Sequence, residues 1–564
     1  MRDEYFICSD PQNPHVKFYY IPADYMEIVE QIIGDDPFAA YSVIYSYPGT
    51  GTPVEHVVLG SVQPAESNPM LGLDYMPDSV CKASDVDTVN NCGMLKYERH
   101  LLLEPYGSSE PQYKETAHYY NGMSQLIQSV TRYPGSDSLY RTSYSYTFTG
   151  NPATIVEHYK GVTKRTDYTY DHRCRLVSET TTVSGSSESS NSANDPSTTY
   201  PPASITYGYD ALGKLISRRY GNGVTETVDY NIQGWQTDMA VKGDNDANIY
   251  NQQLKYYNPV KGTAPLYTGN ISEWSTTMAD HQTNTYGFCY DKFGRLSSTD
   301  YYSGAALTST AAFTERNISY DKNGNIQMLQ RYAQSTASPA DSYTYSYEGN
   351  RLAAISGTDN NAALAGVIYT YDANGNMVCD GLKNLELSYN LLNLPDAVSQ
   401  EGSEKATYSW FADGSKYRVL DKSNNGYFYI GSLIYASNGG TLQLESTAFA
   451  GGRINLARNT GSTLTQDIHY FHTDHLGSVR VITNQSGETV EQNAYYPFGE
   501  RHTFGNTYAQ TTNRFKYNGK EEQTTGNLHT WITVQGCMTA KLQGGLCRIR
   551  SARNIMPIVL TTIV

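Results

Sequence analysis

Polar and apolar positions along most of the chain alternate with a period of two. In Ser143-Tyr144-Ser145-Tyr146-Thr147-Phe148 every second residue is aromatic. That spacing puts rings on one face of a strand and hydroxyls on the other. Tyr369-Thr370-Tyr371 has the same pattern. A helical period shows near Pro22–Gly34, where Ile28, Val29, Ile32 and Ile33 share one face. Pro22 suits a helix start and Gly34 a stop, so one short packing helix is predicted there. The rest of residues 1–140 reads as mostly β. No run of about 18 apolar residues occurs, so no membrane-spanning helix is expected.

From about residue 165 a unit recurs. Its clearest copy is Tyr209-Asp210-Ala211-Leu212-Gly213-Lys214-Leu215. Tyr290-Asp291-Lys292-Phe293-Gly294-Arg295-Leu296 matches it position for position, as do Tyr320-Asp321-Lys322-Asn323-Gly324-Asn325-Ile326 and Tyr371-Asp372-Ala373-Asn374-Gly375-Asn376-Met377. Degraded copies stand at Tyr170-Asp171, with Cys174 where Gly is expected, and at Tyr230-Asn231, Tyr347-Glu348 and Tyr389-Asn390. Spacing between copies varies, so inserts are expected. The unit has a mechanical reading. A strand arrives, and Asp opens a turn because its carboxylate accepts backbone N–H bonds two residues on. Gly, three residues later, supplies the positive φ that closes the loop. A basic or amide residue follows, then Leu, Ile or Met starts the return strand. Each copy is one hairpin, and one hairpin buries little, so copies must stack into a long antiparallel sheet. Twist then forces that sheet to coil or close. The predicted class is all-β.

Composition sharpens this. The 51 Tyr against 14 Phe and 4 Trp fit broad sheet surface, because Tyr packs its ring and keeps a wet hydroxyl. The same excess argues against disorder despite a mean hydropathy of −0.53. The formal net charge of −15 argues against nucleic acid or an anionic membrane as a default partner. The eight cysteines (8, 81, 92, 174, 289, 379, 537 and 547) form no C-x-x-C pair, so neither zinc nor a redox motif is indicated. Cys81 and Cys92 are near enough in sequence for a disulfide, although composition favours free thiols. Residues 184–198 are polar and low in complexity, and read as a loop between strands. The start lacks a basic stretch followed by an apolar one, so no secretory signal is expected.

Candidate chemistry is thin. His472, Asp474 and His475 contain ligand types for a metal. On a strand, however, His475 would face away from the other two. Asp244, Asp246 and Asn248 open like a calcium loop, but Ile249 stands where Gly is needed and Lys255 where the bidentate acid belongs. Asp321-Lys322-Asn323-Gly324 and Asp372-Ala373-Asn374-Gly375 read as turns. No nucleophile elbow, H-E-x-x-H, phosphate loop or dinucleotide fingerprint occurs, and Gly221 and Gly223 lack a third glycine. No catalytic, metal or cofactor residues are assigned.

The Y-D-x-x-G-[RKN]-[LIM] unit resembles the YD repeat of RHS proteins and teneurins. Three later segments resemble, in order, landmarks of the RHS repeat-associated core domain. They are Tyr470 through Arg480, carrying Asp474-His475-Leu476-Gly477, then Tyr495-Tyr496-Pro497-Phe498-Gly499-Glu500, then Arg514 through Glu521, ending Asn518-Gly519-Lys520-Glu521. The resemblance covers roughly residues 140–528. It implies a hollow, spiralling β-sheet shell around a C-terminal toxin domain, with the core domain plugging or processing that end. It divides the chain into residues 1–140, a YD-repeat shell over 141–440, the start of the core over 441–528, and a tail from 529. The implied partners are a toxin cargo or immunity protein in an intact ancestor, and the implied location is secreted or at the cell surface. Teneurin-like proteins suggest instead an adhesion or glycan-binding module, and a truncated product without function is a third reading. Some RHS cores carry an autoproteolytic aspartyl activity. Its residues would fall beyond the segment matched here, so none is assigned.

The tail departs from the resemblance. Tyr is absent after Tyr517, and Trp531–Val564 holds no Asp or Glu. Codons allowed by Trp531–Met538, read two bases later, spell DYGARMYD, the family's usual continuation. Residues from about 529 therefore read as an out-of-frame tail, and Ile555–Leu560 as an accidental apolar stretch prone to aggregation. Sequencing the locus through the codons for Asn527–Val564 is expected to show DYGARMYD in an alternative frame. A locus without it removes the frame-change reading.

Overall fold

The computed structural model describes residues 72–87, 94–104, 111–185, 201–261, 263–279, 283–304, 308–334, 338–458, 464–502 and 513–528. It also describes the backbone of the strands Phe6–Asp10, Asn13–Tyr20, Ala40–Ser46, Pro53–Leu59, Thr530–Thr533 and Gly536–Met538. The helix predicted at Pro22–Gly34, most of the loop at 184–198, Cys92 and residues 539–564 lie outside these. Among the described residues the helices are three short 3-10 turns, and everything else ordered is strand.

Strands pair antiparallel with their sequence neighbours in two long ladders. One ladder runs from Ala40–Ser46 to Thr308–Thr310, and a second from Glu315–Tyr320 to Thr489–Gln492. Between them the Thr299 side chain substitutes for a strand rung. Its hydroxyl donates to the Glu315 carbonyl at 3.1 Å and accepts the Glu315 N–H at 2.9 Å. The hairpins owe their shape to one turn. At Asp291, its N–H donates to the Arg295 carbonyl at 2.8 Å and the Gly294 N–H donates back to Asp291 at 2.9 Å. Beside the turn, Cys289 faces Ser298 while Tyr290 faces Leu296. Ser297 is thus an extra residue, a β-bulge, and bulges add right-handed twist. The same shift falls beside Tyr170, Tyr209, Tyr230, Tyr320, Tyr371 and Tyr389. Repeated twist of one hand is what coils the sheet.

The coil overlaps itself. Near its end the twenty-ninth strand, Ser403–Phe411, pairs with the fifth, Tyr97–Leu103, through Trp410 with Leu103 and Phe411 with Leu102. At about 4.8 Å per strand the 24 steps between them make a circuit of roughly 115 Å, or a ring of roughly 35 Å across. The ladder then continues past the contact to Thr489–Gln492, so the sheet is a spiral and not a closed barrel.

One face of the sheet is covered. Leu254, Trp274, Tyr286 and Tyr301 follow one another across four strands on that face, and all are buried. Successive turns of the spiral meet rim to rim in an aromatic seam. Tyr133 stacks on Tyr417 at 5.9 Å, Tyr159 meets Tyr435 at 5.8 Å, and Tyr220 meets Tyr470 at 5.7 Å. The Tyr417 hydroxyl donates to the Pro134 carbonyl at 2.8 Å, and the Gly431 N–H donates to the Tyr133 hydroxyl at 3.0 Å. The opposite rim of the lower turn is polar and exposed at 422–424 and 439–441.

Gly431 sits where the turns close. Its φ is +57°, and a Cβ there would run into the Tyr140 ring, whereas Gly439, at φ +58°, has nothing near. Gly439→Ala is expected to cost about 1–2 kcal/mol for the left-handed backbone alone. Gly431→Ala should cost at least about 2 kcal/mol more, because the buried ring has to move. Urea unfolding midpoints of the two variants measure the difference, and equal midpoints would show that the seam is not packed this tightly.

Candidate functional site

The repeat residues line one rim of the sheet, and each has a mechanical task. Asp210 accepts the N–H groups of Leu212 at 2.9 Å and Lys214 at 2.8 Å. Asp291 does the same for Phe293 and Arg295, and Asp321 for Asn323 and Asn325, while Asp372 accepts that of Asn376 at 2.8 Å. Gly213, Gly294, Gly324 and Gly375 all have φ between +77° and +93°. The sixth residue of the unit ties back to Asp, as Arg295 does to Asp291 at 2.7 Å and Asn376 to Asp372 at 2.8 Å. Burial raises the Asp291 carboxyl, but the Arg295 and Phe293 bonds outweigh it and hold it below its ordinary value.

The Tyr works between hairpins. The hydroxyl of Tyr209 donates to the Leu176 carbonyl at 2.8 Å, one hairpin back. Tyr290, Tyr320, Tyr347 and Tyr389 reach Ile271, Leu296, Ile326 and Met377 in the same way, at 2.6–2.9 Å. The basic residue then covers the next ring. Arg175 lies 4.6 Å over Tyr209, Lys214 4.6 Å over Tyr230, and Arg295 4.4 Å over Tyr320.

The three later landmarks meet on the covered face. Asp474 opens the same turn as the repeats, receiving the N–H groups of Leu476 and Ser478, with Gly477 at φ +81°. It also holds buried Arg480 at 2.7 Å. Tyr496-Pro497-Phe498-Gly499-Glu500 is that turn again, with Tyr496 N–H to the Glu500 carbonyl at 2.8 Å. A side chain at Gly499 would strike the Tyr517 ring. The third segment closes on the first. The Val479 N–H donates to the Lys516 carbonyl at 2.7 Å, and the Asn518 N–H to the Ser478 hydroxyl at 3.2 Å. Gly519 turns the chain at φ +64°, and the Lys520 N–H donates to the Tyr517 carbonyl at 2.9 Å.

Buried ion pairs bind this cluster to distant strands. Arg331 meets Glu315 at 2.7 Å, Asp341 at 3.6 Å, and Glu500 of the second landmark. Glu521 takes Lys416 at 2.8 Å, Arg514 at 3.0 Å and the Tyr429 hydroxyl at 3.0 Å. Burial pushes Glu521 up, but Lys416 and Arg514 prevail and lower it to about 2. Glu315 stays raised by burial despite Arg331. Such pairs fix geometry more than they add stability.

The residues that suggested a metal go separate ways. His472 is buried edge-on to Tyr220, with Nε2 2.9 Å from the Thr483 hydroxyl. Asp474 serves its turn, and His475 lies 3.3 Å from Gln252 and edge-on to Trp274. Among the described residues, no cluster of three His, Cys, Asp or Glu could hold a metal ion. Asp244 and Asp246 pair with Arg219 and Lys242 in a surface turn. Cys81, Cys174, Cys289 and Cys379 are free thiols. Sequence reading missed further copies of the turn, at Asn121–Gln125, Thr147–Asn151, Asp421–Asn425 and Asn484–Glu488. Only an Asx or Thr followed by a positive-φ residue three places on could have signalled them.

No family model matches the chain. The toxin subunit YenC1 of Yersinia entomophaga is 24% identical over 375 residues, which are 56% of this chain and 37% of that protein. The chain thus spans little more than a third of the curated relative it matches, and is related at low identity to toxin subunits of this kind. Among solved structures, TcdB2-TccC3-Cdc42 aligns with 89% of this chain and 29% of its own, at 12% identity and a TM-score of 0.38. TcdB2-TccC3 aligns with 90% and 33%, at 12% identity and a TM-score of 0.36.

Burial lowers His472 to about 3 and His502 to about 3. An unfolded His titrates near 6.5, so the unfolded chain takes up protons first. Stability is therefore fully present above about pH 6.5 and is lost as pH falls towards 3. His472→Gln should shallow the loss between pH 6 and pH 4 by about 1.4 kcal/mol per pH unit, one proton's worth. Unfolding curves at each pH test this, and parallel slopes for variant and parent would contradict it.

Proposed function

We propose that this chain is a shell segment of a toxin-related protein, a YD-repeat scaffold of the RHS kind whose role is structural and not catalytic. The observation that carries the reading is the self-overlapping spiral with the three landmark segments pinned across its covered face. Arg331 and Lys416 reach those segments from two separate strands of the wall, so the segments brace the wall from within. The relation to a toxin subunit supports the same direction. In this reading the segments from Asp474 to Glu521 begin the plug of an RHS core. The cargo belongs to an intact ancestor, encoded in the frame that Trp531–Met538 displaces, and the ancestor works outside the producing cell.

The repeat rings favour a wall over a glycan groove. The hydroxyls of Tyr209, Tyr290, Tyr320, Tyr347 and Tyr389 are spent on carbonyls, and Tyr209, Tyr230, Tyr320 and Tyr371 carry Arg or Lys over their faces. Among the described residues no helix is long and apolar enough to cross a membrane.

Protease protection tests the shell. The chain is co-expressed with the polypeptide that the alternative frame encodes beyond Asn527. The two should co-purify, with the polypeptide digested at least about tenfold more slowly than alone, the expected consequence of excluding protease from the bound state. Digestion at the free rate would defeat the encapsulation reading. Binding of the chain to a glycan array, without protection, would favour the adhesion module.

A further inference from the structure

The exposed large apolar side chains are not scattered. Met123, Phe148, Leu212, Ile232 and Phe293 are between 71% and 106% exposed. Every one sits at the tip of a repeat-type turn, on the rim of the first turn of the spiral that no other described strand covers. The insert 256–272 rises at the same rim, and exposes Val260 and Tyr267. Consecutive turns are two strands apart, about 9.6 Å, so the tips form a row of teeth along roughly 70 Å of rim.

The charged tip residues on this rim have one sign, although the Asp87 carboxylate approaches it beside Gly122. The two tip residues of the turns at 122–123, 148–149, 172–173, 211–212, 232–233, 292–293 and 322–323 include Arg173, Lys292 and Lys322 and no Asp or Glu. The insert 256–272 has none either. The turn aspartates stand below the tips, with their carboxylates engaged by backbone N–H groups. A chain of net charge −15 thus carries one apolar rim that is locally basic.

The covered seam shows what a rim looks like when another turn of sheet sits on it. There the tips are small: Gly431 and Ser432 under Tyr140, and Gly451 under Ile205. Large tips such as Phe148 and Phe293 would hold a second rigid rim away. They suit a deformable phase, and single-sign cations suit phosphate headgroups. We infer that the free rim docks on an anionic lipid surface. Its apolar tips enter the headgroup boundary while Arg173, Lys292 and Lys322 meet lipid phosphates. The inference uses the rim alone and stands whether or not the sheet encloses a cargo.

The test is co-sedimentation of the full chain with vesicles at low salt. Mixed phosphatidylserine and phosphatidylcholine vesicles should bind it, and phosphatidylcholine alone should bind it about tenfold less. Phe148→Ser with Phe293→Ser should weaken binding at least about tenfold, and Lys292→Gln with Lys322→Gln about tenfold. Ile368→Ser, an exposed apolar site within a strand, should leave binding unchanged. Unchanged thermal midpoints show that the variants fold. No binding to anionic vesicles overturns the inference, as does binding that the tip variants do not alter. A self-association abolished by the tip variants, without vesicle binding, would make the rim a contact between copies and likewise overturn it.

Discussion

The structure depends on a bond no single hairpin can make: a tyrosine hydroxyl at the mouth of one hairpin, donated to a backbone carbonyl of the one before. Each such bond is worth only about 1 kcal/mol. Its value lies in direction. A hairpin alone is marginal in water, and lateral pairing fixes neighbours by backbone bonds that a one-residue slip could mimic. The hydroxyl reaches its carbonyl in one register only, so Tyr209 on Leu176 and Tyr320 on Leu296 lock each pair of hairpins in place. The stacked cation that follows, Arg175 or Arg295, keeps the ring from swinging out.

From that lock the larger shape follows. The turn sets a bulge beside every Tyr, the bulges add twist of one hand, and the twist brings Ser403–Phe411 round to Tyr97–Leu103. Where the turns of the spiral meet, small residues accept rings from above. Where they do not meet, large residues protrude. The landmark segments reuse the turn, at Asp474 and at Tyr496, and the first sets one of its outward residues, His475, edge-on to Trp274. One local device therefore makes wall, seam and brace.

Much of this was legible beforehand. The repeat states its turn outright, because Asp and a positive-φ Gly have few other uses at that spacing, and Gly213, Gly294, Gly324 and Gly375 take that conformation. The coiling was legible as a necessity, although its cause, the bulge, was not. A bulge such as Ser297 is set by hydrogen-bond register and leaves no residue signature. The convergence of Asp474, Gly499 and Asn518 was not readable either, since it joins residues far apart in sequence. Nor was the partner of Glu521, because Lys416 lies 105 residues away. The copies at Asn121 and Thr147 were missed because Asn and Thr replace the Asp that flags the unit.

The polar rim of the lower turn has its own consequence. A spiral whose turns stack rim on rim is a heterologous contact, and such contacts extend without limit unless something closes them. Residues 422–424 and 439–441 offer Lys, Ser, Asn, Gly and Thr where the upper turn offers Tyr133, Tyr159 and Tyr220. Among the described residues a second molecule finds no ring there to seat. At that end the described residues give no aromatic seat for growth into fibres, at the place where the architecture would otherwise invite it.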